Sequence, residues 1–244
     1  MRNLRLDICY DGTRYRGFQR LANTENTIQG RLERTLSRIL NEDIQISGSG
    51  RTDAGVHALG QVINFHCSSQ MPCEQILTEL RRYLPEDMGV YSVKEVSPRF
   101  HARLNAKEKT YRYRIWNSPD PCVFERRFVT VLADELDIQA MKKAAAYLEG
   151  THDFSAFCSN KHFKKSTVRS IRSIQILRQD KELQFLVTGN GFLHGMVRIL
   201  VGTLVEVGQG KRSAESMEAL FGGARAEAGV LMPPEGLCLM EVMY

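Results

Sequence analysis

The chain has 244 residues, 43% of them hydrophobic and 25% charged, with a formal charge of +5. That length can bury a substantial core, as one large domain or as two packed halves. No run of eighteen apolar residues occurs, which argues against a membrane-spanning helix. The opening MRNLRLDICYDG alternates like a strand and lacks a signal peptide's apolar core, so the expected location is cytoplasmic.

Residues 4–10 alternate apolar and polar and run into turn chemistry at Tyr10-Asp11-Gly12-Thr13. Thr27 is placed to cap a helix carrying Ile28, Leu32, Leu36 and Ile39–Leu40 at helical spacing. A short strand is predicted at 44–47, then the glycine-rich turn SGSGRTDAGVHALG, a strand over 60–66, and a helix over 73–84 that stops at Leu84-Pro85. Residues 89–96 and 109–117 read as strands, and turn residues cluster at Asn117, Pro119, Asp120 and Pro121. A helix over 138–148 ends at Gly150. Strands at 167–177 and 183–189, a long apolar helix over 192–207, a short helix over 213–221 and a closing strand over 237–243 complete the order. Strands and helices mix without regular βαβ alternation, which predicts an α+β fold built on antiparallel sheet. The expected division is 1–105 and 106–244.

The six cysteines form no C-x-x-C pair and no histidine pair completes a zinc pattern, so they read as reduced core or surface thiols. The modest net charge is unevenly spread. Arg99, Arg103, Lys107, Lys109, Arg112 and Arg114 face a single nearby acid, Glu108; Lys161, Lys164, Lys165, Arg169 and Arg172 have none between them. Interleaved with Phe100, Tyr111, Tyr113, Trp116 and Phe163, these runs suit a surface that tracks phosphates and stacks bases. Either run alone would fit an ordinary solvated face.

The densest unusual segment is Gly48-Ser49-Gly50-Arg51-Thr52-Asp53-Ala54-Gly55-Val56-His57. Its three glycines indicate a sharp turn or close approach to a ligand. A dinucleotide fingerprint would need Gly at Asp53, and a P-loop would need Lys at Val56, so both are excluded. Asp53 beside Arg51 is either an active carboxylate or the side chain of an ordinary Asx-turn. In the apolar run Phe192–Leu204, Arg198 needs a partner, because an unpaired buried guanidinium is costly. That partner is a structural acid or Asp53 itself. Alternation in Lys109-Thr110-Tyr111-Arg112-Tyr113 puts both tyrosines on one strand face, as core packing or as a nucleobase platform. Signatures of a zinc deaminase, a G-x-S-x-G hydrolase and an RRM octamer are missing.

The stretch GRTDAGVHALGQV resembles the active-site motif of the TruA family of tRNA pseudouridine synthases. The resemblance extends through YDGTRYRGFQ, LPEDMGV, FHAR at 100–103, KTYRY, THDFSAF at 151–157, GFLHGMVRILVGTLVEVGQGK and PPEGLCLMEVMY, nearly the whole chain. It implies two RRM-like α+β halves around a central antiparallel sheet flanked by helices, with a basic cleft between them, and a homodimer. It implies uridine-to-pseudouridine isomerisation at positions 38 to 40 of the tRNA anticodon stem-loop, with no metal and no organic cofactor. It further implies that Asp53 is the catalytic aspartate, Arg198 its paired arginine and Tyr111 the tyrosine packed on the target base. Arg51 is the substrate-binding candidate beside Asp53.

Two departures bear on substrate range. The family commonly reads GWQ-x-Q where this chain has Gly17-Phe18-Gln19-Arg20-Leu21, and Gly195 stands where a larger polar residue often precedes Met-Val-Arg. The competing readings are a paralogue acting on another RNA site, a non-catalytic RNA-binding protein, and a metal-dependent nuclease using Asp7, Asp11 and Asp53.

Overall fold

The structure is a computed structural model, and it describes residues 1–160 and 162–244; Lys161 of the second basic run lies outside the described residues. The chain forms two compact units, Met1–Lys107 with Leu239–Tyr244, and Glu108–Cys238. The α+β class stands, with antiparallel sheet dominating each unit.

The first unit contains β1 (Arg2–Tyr10), α1 (Ile28–Leu40), β2 (Ser47–Gly48), β3 (His57–Cys67), α2 (Cys73–Tyr83) and β4 (Met88–Val96). β1 is flanked by β3 and β4, both antiparallel, and β2 adds to β3. The period of two sends Leu4, Leu6 and Ile8 to one face of β1, where they are buried with Ile63 and Phe65 of β3. α2 packs on β4, and α1 on α2. Thr27 caps α1 as its position predicts, its hydroxyl accepting from the Gly30 amide at 3.1 Å. Residues 44–46 are not strand, and pairing is confined to Ser47–Gly48. In that stretch the amides of Ile44 and Ile46 donate to the side chains of Ser37 and Glu33 rather than to a neighbouring strand.

The second unit contains β5 (Glu108–Trp116), β6 (Thr130–Val131), α3 (Ile138–Leu148), β7 (Gly150–Asp153), β8 (Val168–Gln179), β9 (Glu182–Gly189) and α4 (Met196–Gly208). Its strands run in the order β5-β9-β8-β7, all antiparallel, with the two-residue β6 parallel to β5. α3 packs on β8 and α4, and α4 on β5. The predicted helix over 192–207 begins only at Met196, because Gly195 holds φ +70°, which cannot continue a right-handed helix. The predicted helix over 213–221 is a 3-10 segment, Ala214–Leu220.

The last strand, β10 (Leu237–Met243), corrects the expected division. Residues 239–244 belong to the first unit rather than to the second half. There β10 lies beside β3, the Lys107 amide donates to Met243 at 2.8 Å, and the Tyr244 hydroxyl donates to Ala102 at 2.7 Å. Strand pairing over such a separation leaves no local mark in the sequence.

Candidate active site

The turn carrying Asp53 leaves β2 at Gly48 and rejoins regular structure at His57. The Val56 amide donates to the Asp53 carbonyl at 3.2 Å, and Gly55 holds φ +79°, the left-handed value a type II turn needs at its third position. Asp53 is half-buried and Arg51 exposed; Arg51 makes no ion pair among the described residues.

The YDGTRYRGFQ stretch packs against this turn. Gly17, at φ +101°, lies so close that an added Cβ would sit 3.0 Å from the Thr52 carbonyl and 3.3 Å from the Ala54 amide. The Phe18 amide donates to that Thr52 carbonyl at 3.0 Å, and the Phe18 ring covers Gly48. Ile28 and Gln29, in the first turn of α1, donate to the carbonyls of Gly17 and Phe18, so the helix start and the loop fix each other. Asp87 closes the far side, accepting from Arg14 at 2.7 Å and the Tyr15 hydroxyl at 2.6 Å. Burial, reinforced by that carboxylate, pushes the Tyr15 phenol well above its ordinary range. The Gly12 amide donates to Nδ1 of His57 at 3.0 Å.

Behind the turn lies a polar network. Gln61, Ser49, Thr52 and Tyr10 are all buried, and their side chains join in hydrogen bonds of 2.6–3.4 Å. Its one sequence signal is a glutamine on the inward phase of β3, between Ala58 and Ile63.

In the second unit, Tyr111 on β5 is 8% exposed and meets Phe192 edge-on, ring centroids 5.3 Å apart. Tyr113, two residues on, is fully buried, its hydroxyl bonded to Thr130 at 2.6 Å and donating to Pro233 at 2.8 Å. Burial pushes its phenol far above the ordinary range. The alternation reading therefore separates into two roles, with Tyr113 in the core and Tyr111 at its edge.

Arg198 lies in the first turn of α4, half-buried, and donates from Nε to the Met232 carbonyl at 2.6 Å. Residues 229–232 form a strap along the helix. Gly229 donates to the Thr203 hydroxyl at 2.9 Å, and a Cβ at Gly229 would sit 2.6 Å from the Thr203 Cα. At the helix start, Ser159 donates from its amide to the His194 carbonyl at 2.9 Å, and its Oγ lies 2.5 Å from His194 Nδ1. A Cβ at Gly195 would come 2.8 Å from the Ser159 Oγ. The THDFSAF stretch beneath is packing: Phe154 and Phe157 are fully buried, and His152 stacks on Phe221 at 3.9 Å.

The basic runs are less open than their composition implies. Arg114 binds Glu182 at 2.6 Å and Glu125 at 3.1 Å, and Arg172 binds Glu108 at 3.0 Å. Arg169 donates to the Ser166 and Val168 carbonyls, and burial lowers its pKa. Arg99, Arg103, Lys107, Lys164 and Lys165 remain exposed, as does Arg172 despite its pair. Glu182 on β9 and Glu108 on β5 are acids that the linear sequence holds far from Arg114 and Arg172.

Asp53 and Arg51 thus belong to one unit and Tyr111 and Arg198 to the other. Asp7, the first aspartate of the nuclease reading, accepts from Arg5 at 2.7 Å and Ser92 at 2.6 Å. Among the described residues no group of three or more His, Cys, Asp or Glu side chains converges as a metal site would require.

A family model described as tRNA pseudouridine synthase matches residues 8–105 and 144–244. Over 245 residues, and 100% of both chains, the sequence is 43% identical to "tRNA pseudouridine synthase A 2" of Bacillus cereus (strain ZK / E33L). Over the same coverage it is 45% identical to "tRNA pseudouridine synthase A" of Brevibacillus brevis and 44% to that of Acetivibrio thermocellus. Among solved structures, a chain of a Cbf5-Nop10-Gar1 complex aligns over 83% of this chain and 45% of its own length, at 13% identity and a TM-score of 0.38, too low to bear on the fold. The matched spans include Asp53 and Arg198, while Tyr111 falls between them.

Proposed function

This chain belongs to the tRNA pseudouridine synthase family, and from that premise we propose which of its residues carry the reaction and which tRNA positions it serves. The enzyme isomerises uridine to pseudouridine in tRNA. The N1–C1′ bond breaks, the uracil turns, and C5 bonds to C1′; C5 gives up its proton and N1 gains one, so no atom is gained or lost.

Asp53 is the group that acts at C1′. The observation that carries this assignment is the turn itself, a half-buried carboxylate on a backbone clamped by Gly17, Phe18 and Thr52. Tyr111 offers a ring at the edge of the core, backed by Phe192, on which an extruded base can rest. Arg198 is the arginine that acts with the catalytic aspartate, a role resting on the family resemblance, and Arg51 is an exposed contact for the substrate. The test is tritium release from tRNA carrying 5-tritiated uridine. Asp53→Asn keeps the shape and removes the charge, and is expected to abolish release while tRNA still binds; normal release would overturn the assignment.

The targets proposed are uridines 38 to 40 of the anticodon stem-loop in several tRNAs. The motif resemblance supports this, as do exposed basic residues in two separated segments, which suit a folded RNA better than a threaded strand. Mapping the products of unmodified tRNA transcripts decides it, and pseudouridine only outside the anticodon arm would leave the chemistry and remove the site. The same resemblance supports a homodimer acting in the cytoplasm, with sedimentation of the purified protein as the test of assembly. For the chain itself, no helix among the described residues is long and apolar enough to cross a membrane.

A further inference from the structure

Between the end of β2 at Gly48 and the start of β3 at His57, the chain leaves the strand ladder after one last backbone bond, from the Ser49 amide to the Val62 carbonyl at 2.8 Å. Two buried side chains stand behind it, Gln61 of β3 and Tyr10 of β1, and they bond to the buried Ser49 and Thr52 side chains within it. Gln61 on β3 is fully buried. Its Oε1 accepts from the Ser49 hydroxyl at 2.6 Å and the Val62 amide at 3.2 Å. Its Nε2 donates to the Gly50 carbonyl at 3.1 Å and to the Tyr10 hydroxyl at 3.4 Å. The Tyr10 hydroxyl in turn shares a hydrogen bond with Thr52 Oγ1 at 2.9 Å.

Core packing does not call for this chemistry. Gln61 lies opposite Ile8 on the face where Ile63 and Phe65 are apolar, and a buried amide is costly unless its bonds are made. A bulge lies at the same place: Ile8 pairs with Gln61, but Tyr10 pairs with Ala58 rather than Leu59. Bulges re-aim side chains beside functional sites, and here Leu59 is left 44% exposed while Tyr10 turns inward at 4%. The network grips the carbonyl three residues before Asp53 and the side chain one residue before it.

We propose that Gln61 and Tyr10 are positioning residues for the isomerisation, a buried hydrogen-bond relay that fixes the backbone leading into Asp53 and so aims its carboxylate. The proposal rests on the reading of Asp53 as the catalytic group. It assigns the relay no contact with substrate.

Four variants of the full chain test it: Gln61→Leu, Tyr10→Phe, Thr52→Val and Thr52→Ser, with Asp53→Asn measured alongside. The first three are expected to slow single-turnover isomerisation about ten- to hundredfold, as a displacement near 1 Å does, while the tRNA Kd stays unchanged. Thr52→Ser restores the hydroxyl and is expected to recover most of the rate. Wild-type rates in Tyr10→Phe and Thr52→Val would overturn the relay, as would Thr52→Ser no faster than Thr52→Val. If Gln61→Leu fails to fold, the Tyr10 and Thr52 variants decide between these outcomes by themselves. An active Asp53→Asn would remove the underlying reading; an inactive one beside unimpaired relay variants removes the relay alone.

Discussion

Arg198 donates from Nε to the Met232 carbonyl at 2.6 Å, a residue 34 positions further along the chain, and the Met232 amide reaches back to the Arg198 carbonyl at 3.4 Å. The guanidinium is thus oriented by the 229–232 strap as well as by its own helix. What lets the strap lie so close is Gly202, where an added Cβ would be driven into the Val230 carbonyl. Gly202→Ala is therefore expected to destabilise the protein by about 1–3 kcal/mol, the cost of overpacking. It should also lower the single-turnover rate more than it weakens tRNA binding. Thermal denaturation and single-turnover assays check both, and a fully stable, fully active Ala variant would show that the strap does not set Arg198.

Tyr111 is buried against Phe192, so its substitutions read differently from those of an exposed stacking residue. Tyr111→Ala should weaken base capture by about 1–3 kcal/mol and also open a cavity costing on the order of 3–5 kcal/mol of stability. Tyr111→Phe keeps the ring and its edge contact and removes only the hydroxyl. Comparing rates in the Phe variant with wild type separates stacking from proton chemistry: equal rates exclude the hydroxyl as the base that removes the C5 proton.

Acid stability should depend on Glu182. Burial alone would raise its pKa, but the paired bonds from Arg114 outweigh burial and hold it below the ordinary value of 4.5. A depressed folded-state pKa means the unfolded chain binds the proton more readily. The stabilisation is therefore present above 4.5 and is lost as pH falls through the lower folded value. Glu182→Gln is expected to be less stable than wild type near neutrality, with the gap closing in acid. Urea midpoints across that range check this, and a gap independent of pH would assign the loss to packing.

The salt dependence of tRNA binding should separate the exposed cations from the paired ones. Lys164 and Lys165 are exposed, whereas Arg114 is held by Glu182 and Glu125. Changing both lysines to Gln should flatten the plot of log affinity against log salt by about one unit for each phosphate no longer neutralised. Arg172→Gln, which breaks only the pair with Glu108, should leave that slope near the wild-type value. Equal slopes for all variants would place the RNA elsewhere.

Local chemistry was legible in the sequence wherever a short segment decides its own conformation. Thr27 capping α1, the apolar alternation of β1 and the left-handed turn at Gly55 all follow from residues a few positions apart. The same holds for Asp53 as a candidate, because glycine spacing marks a constrained turn regardless of what surrounds it. What only the tertiary structure decided depends on partners distant in the chain. Gly195 delays the start of a helix that apolar periodicity extends back to Phe192, because it is left-handed and Ser159 packs where its Cβ would stand. Arg114 looks available in sequence and is held across strands by Glu182, while Arg172 pairs with Glu108 yet stays exposed. Gln61 looks like a stray polar residue until Tyr10, Ser49 and Thr52 are brought around it. Residues 239–244 join the first unit through strand pairing, whose hydrogen bonds use backbone groups that every residue carries. Side-chain pattern records which face of an element is buried, and long-range backbone pairing and ion pairing decide what it is buried against.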